Sequence, residues 1–152
     1  MNDIYSFQSN ELLTGITILS VLKVANSLEI SKCMLIEPLL SYKCLRDYMK
    51  RANSNVRSIE ELIVKQNITF TNFNKRFKDK LAISINSILL MSQLKLLIIE
   101  NNKLVFNAEN FNFSEKSLGK TAHNLIATKD SMANILMKED ASSLYLSLRI
   151  EL

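Results

Sequence analysis

The sequence predicts a mainly α-helical fold that carries one small antiparallel β-hairpin or sheet. Two observations lead there: apolar residues recur every three or four positions along most of the chain, and one short stretch breaks that rhythm. Only 2 Gly and 1 Pro interrupt 152 residues, and the 47% of apolar residues is spread along the whole length, so no flexible linker or low-complexity tract is written. A chain of this size buries roughly 68–70% of its unfolded surface as one domain. We read residues 1–152 as a single domain, with a helical N-terminal part over about 10–66 and a second part over about 71–152.

Leu12, Leu13, Ile16, Leu19, Leu22 and Val24 predict a first helix with one buried face between Asn10 and Glu29, with Asn10 as its cap. Gly15 inside it costs about 1 kcal/mol relative to alanine, which points to another backbone packed close by. The run "SKCMLIEPLLSYKCLRDYMKR" starts apolar on all sides and turns amphipathic after Pro38, a residue suited to a first helical turn. "RANSNVRS" has loop composition, and "SIEE" from Ser58 to Glu61 is a capping box for a short helix through about Lys65.

Phe73, Phe77, Leu81, Ile85 and Leu89, each four apart and with Ile88 beside them, predict a long helix or a pair broken near Asp79, with all of them on one face. Then "LKLLII" and "KLVF" read as strands joined through "ENNK", whose asparagines tolerate the positive φ of a tight turn. A hairpin directly after a long helix makes the fold winged-helix-like. Further helices are expected around Leu118, Ala122 and Leu125 and around Met132 to Met137. "LSLRIEL" alternates Leu146, Leu148, Ile150 and Leu152 with polar residues, which predicts a half-buried closing strand beside the hairpin.

No constellation of catalytic residues is written. "SLGKTA" lacks the glycine a phosphate-binding loop needs at position 114, which is Ser; His123 stands alone on a helix; Glu60 and Glu61 suit a helix start. Cys33 and Cys44 have neither redox nor zinc spacing and read as reduced, buried thiols. We therefore expect no enzyme, no cofactor and no metal. The N-terminus "MNDIYSFQSNELL" is not built like a signal peptide and no apolar run is long enough for a membrane span, so a soluble, cytoplasmic protein without a membrane partner is expected.

A net charge of +4 mildly favours polyanionic partners. "KRFKDK" offers Lys75, Arg76, Lys78 and Lys80 as candidate contacts to a DNA backbone, but "SINSILLMSQ" has no Arg or Lys to grip a base edge. Candidate protein-partner contacts are Leu97, Ile99, Leu104 and Phe106 on the hairpin and Leu146, Leu148 and Ile150 on the closing strand. From these residues alone, a free-standing winged-helix DNA-binding regulator is one expectation.

The order "NELLTGITILSVL", "EPLLSYKCLRDYM", "SIEELIVKQ", "LAISINSILLMSQLKLLIIENNKLVF", "SLGKTAHNLI" and "SSLYLSLRI" resembles the small middle components of three-component ABC ATPase systems, including the accessory subunit of Lamassu-type anti-phage defence. The resemblance implies a non-enzymatic adaptor that bridges an SMC-like coiled-coil ABC ATPase and an effector, commonly a nuclease, and that meets DNA through the complex.

Overall fold

The first helix, α1, spans Glu11–Ala25, and Asn10 caps it by accepting the Leu13 N–H at 3.1 Å. The computed structural model describes residues 10–51 and 56–152, so the N-terminal "MNDIYSFQS" and part of the loop expected at "RANSNVRS" lie outside the described residues. Every residue from Thr14 to Leu22 is buried, so α1 has no solvent face along its middle, where a single buried face was expected. Its polar positions tolerate this because their hydroxyls find partners: Thr17 donates to Leu13 O at 2.8 Å, Ser20 to Thr17 O at 2.7 Å and Thr14 to the Glu37 carboxylate at 3.0 Å. The helix stops at Ala25, short of the expected Glu29. Asn26 takes φ 68°, and Ser27–Glu29 leaves it as a strand, β1.

The central apolar run folds as three short helices, α2 (Ile30–Cys33), α3 (Ile36–Leu40) and α4 (Lys43–Lys50), with Pro38 in the first turn of α3. Next comes α5 (Ile59–Lys65), where Ser58 Oγ accepts the Glu61 N–H at 3.2 Å while the Glu61 carboxylate accepts the Arg57 N–H at 3.1 Å. A 3₁₀ turn at Asn67–Phe70 leads into α6 (Phe73–Gln93), which is unbroken at Asp79. Phe73, Phe77 and Ile88 are buried as expected, but Ile85 and Leu89 are 47% and 49% exposed, and Ser84, Ser87 and Met91 face inward instead. The reason is geometric: each step of four residues turns about 40° beyond a full circle, so the line from Phe73 to Leu89 swings by about 160° around the helix.

The hairpin forms from β2 (Leu97–Glu100) and β3 (Lys103–Phe106), and its two turn residues, Asn101 and Asn102, both take positive φ. That is the conformation a two-residue turn needs to match strand twist. The strand order is β1-β3-β2, all antiparallel, with Leu28 opposite Leu104 and both buried. The third strand is thus β1, and the expected closing strand is absent. Residues Ala141–Ser147 form a helix, α9, capped by Asp140, which accepts the Ser143 N–H at 3.1 Å. Leu144 and Leu148, four apart, supply its buried face, and a helical pair of that kind overrides the two-residue alternation.

Between hairpin and α9 lie a 3₁₀ turn at Lys116–Leu118, α7 (Gly119–Ile126) and α8 (Lys129–Lys138). Gly119 has φ 83° at the start of α7, so a conformational demand explains the glycine. Two helices end on Schellman turns made without glycine. Lys95 and Arg149 hold φ 61° and 56°, and the N–H groups that follow return to Met91 O and Tyr145 O at 3.0 and 3.1 Å.

Gly15 lies against the Met91 side chain rather than against a backbone: a Cβ there would collide with Met91 Cε and come within 2.8 Å of its Cγ. Gly15→Val should destabilise the fold by about 1–3 kcal/mol through overpacking. Thermal unfolding should show the loss, and Met91→Ala in the same chain should recover part of it, so that the double variant is more stable than the two separate losses add up to.

Candidate functional site

The basic run at the start of α6 does not spread over an open helix face. Tyr42, Thr69, Asn72, Lys75, Arg76 and Lys80 line a cleft of about 700 Å³ between the start of α4, the 3₁₀ turn at Asn67–Phe70 and the first turns of α6. Lys78 is exposed on another side of α6 and does not line it. Three of the four expected DNA-backbone cations therefore converge on one concavity.

Each of the three is held. Arg76 lies flat over the Tyr42 ring, 3.6 Å from its centroid, and its Nη1 donates to Ser41 Oγ at 2.9 Å. Lys75 pairs with Asp79 one helical turn on, at 2.8 Å, on an exposed surface where such a pair is worth about 0–1 kcal/mol. Lys80 reaches inward to Glu37 at 3.8 Å, with only 13% and 11% of the two side chains exposed. Burial pushes the Glu37 carboxyl above the ordinary carboxylate range, while Lys80, the Thr14 hydroxyl and Arg46 pull it back down.

Tyr42, Thr69 and Asn72 were not singled out from the sequence. They come from segments up to thirty positions apart, and no short motif marks them; the only local hint is that "NITFTN" interrupts two helices.

The expected partner contacts divide. Leu97, Leu104 and Leu148 are core residues, 1%, 0% and 4% exposed, and are closed to a partner. Phe106 and Ile150 are half-buried, packed against the core. Ile99 and Leu146 are exposed, at 44% and 79%. More apolar surface lies where none was expected: Ile85 and Leu89 one turn apart on the outer face of α6, then Leu94 after its end and Ile98 on β2. β2 is also an edge strand, with β3 on one side only.

The cysteines differ. Cys33 is buried, and desolvation pushes its thiol up to about 12, whereas Cys44 is exposed at the cleft, with Sγ 3.1 Å from Thr69 Oγ1. That corrects the expectation of two buried thiols. His123 is exposed, with Nε2 3.1 Å from Glu115 O. Among the described residues no cluster of His, Cys, Asp or Glu is placed to hold a metal, and no helix is long and apolar enough to cross a membrane.

No protein-family model matches the chain, and no curated protein or solved structure matches it.

Lys80→Met strips Glu37 of its nearest cation and should cost roughly 2–3 kcal/mol at neutral pH. With its pKa raised further, folded Glu37 binds more protons than unfolded Glu37 between the ordinary carboxylate value of 4.5 and its own higher value. The deficit should therefore shrink as pH falls through that window, and unfolding at about pH 7 and about pH 5 compares the two. For the thiols, iodoacetamide on the native protein should alkylate Cys44 and spare Cys33, and unfolding in urea should open both, as intact mass and peptide mapping would report.

Proposed function

We propose that this chain is a non-enzymatic adaptor subunit of an SMC-like ABC ATPase complex in anti-phage defence, bridging the coiled-coil ATPase and a nuclease-type effector in the cytoplasm. The observation that supports it best is the apolar outer face of α6, where Ile85 and Leu89 stand one turn apart, each about half exposed to solvent. Apolar residues at that spacing are what an amphipathic partner helix lays against, and a coiled-coil protein supplies such helices. The sequence resemblance points to the same partner. A free-standing DNA-binding regulator is less well supported, because Lys75, Arg76 and Lys80 turn into a cleft and leave Lys78 as the exposed cation of the four with no partner among the described residues.

The test is co-expression of the tagged chain with the genes that flank its own. A large coiled-coil ATPase should co-purify in fixed ratio, and Ile85→Asp with Leu89→Asp should abolish that while leaving the far-ultraviolet spectrum and unfolding temperature of the isolated chain close to wild type. Purification of the chain alone, or an undiminished complex with the double variant, would overturn the proposal or its interface.

A further inference from the structure

We propose that the cleft at the head of α6 binds a phosphate monoester of the kind a nucleotide carries. Its volume of about 700 Å³ falls inside the range of roughly 300–1,000 Å³ typical of small-ligand clefts. The charges that line it are three cations, Lys75, Arg76 and Lys80, against one carboxylate, Asp79, so the cleft is net positive.

Pre-organisation distinguishes it from an ordinary lysine-rich surface. The Tyr42 ring and Ser41 Oγ fix the Arg76 guanidinium in one plane, and the hydrogen bond to Ser41 uses a single one of its five N–H donors. A planar fork held in place with donors to spare is suited to two oxygens of one phosphate. Lys80 is likewise held in a narrow range by Glu37, at a separation of 3.8 Å that leaves the ammonium with further donor capacity. Lys75 is engaged only by an exposed pair with Asp79, and exchanging that carboxylate for a doubly charged phosphate costs little.

The neutral groups fit the same ligand. Asn72 occupies the N-cap position of the 21-residue α6, yet its side chain makes no capping bond, which leaves its amide at the cleft for a ligand. Thr69 and Thr71 add hydroxyls, and Ile68, 87% exposed at the rim, offers an apolar contact for a base or sugar. The inference is independent of the adaptor proposal, since it uses neither Ile85 nor Leu89.

The phosphate has two candidate carriers, a free mononucleotide or the end of a nucleic-acid strand. Isothermal titration of the full chain with AMP, with a 5′-phosphorylated single-stranded oligonucleotide and with the same oligonucleotide bearing a 5′-hydroxyl separates them. Saturable binding of AMP and of the phosphorylated strand at equal strength identifies a free-nucleotide site. Binding of the phosphorylated strand well above both other probes identifies a strand end. Lys75→Ala should weaken whichever binds by about three- to tenfold, the net size of one ordinary hydrogen bond, since water screens the exposed ammonium. Asp79→Asn, which removes the one opposing carboxylate and frees Lys75, should strengthen it. Both positions are exposed on the helix surface, so neither variant threatens the fold. No saturable binding of AMP or the phosphorylated strand, equal binding of the hydroxyl-ended strand, or affinity unmoved by both substitutions would overturn the proposal.

Discussion

The burial of α1 on all sides is the constraint on which the rest of the structure depends. Helices α3, α6, α7 and α8 and strands β1 and β3 all pack against it, so no position from Thr14 to Leu22 reaches solvent. Such a fully packed helix is tolerated only when its side chains are apolar or self-satisfied, and its threonines and serine are satisfied by backbone carbonyls or by Glu37. Gly15 adds the space that lets Met91 of α6 seat against it.

Seating α6 on α1 decides what α6 shows to the outside. Its inward set, Phe73, Phe77, Ser84, Ile88 and Met91, advances by four, seven, four and three residues, which follows the helical repeat of about 3.6 residues per turn and keeps one stripe against the core. Ile85 and Leu89 lie off that stripe and leave about half of each aliphatic side chain in water. The same contact sets the head of α6 beside α3 and the start of α4, so that Tyr42 meets Arg76 and Glu37 meets Lys80. The apolar face and the basic cleft are both consequences of how one helix was docked.

The two surfaces differ in kind. The apolar face has no convergent polar groups and is suited to area burial by another protein. The cleft is small, positively charged and pre-set by a cation–π stack, which suits a compact anion. The two can be altered separately because their residues sit on different turns of α6.

Local chemistry was legible in the sequence wherever a few neighbouring residues decide the outcome. Asn10 and Ser58 are caps, Asn101 and Asn102 make the hairpin turn, and the helices at Phe73–Gln93 and Lys129–Lys138 stand where apolar periodicity set them. What only the tertiary structure decided are the choices between locally equivalent options. "SLE" becomes a strand because β3 offers it an edge, and "LSLRI" becomes a helix end because Leu144 and Leu148 find the core together. Tyr42, Thr69 and Asn72 meet Arg76 only after three segments pack, and Ile85 is outside only because Ile88 is inside. Hydrogen bonds to near neighbours are written into a few adjacent residues, whereas burial belongs to the whole chain and is settled by which faces remain once α1 has taken its partners.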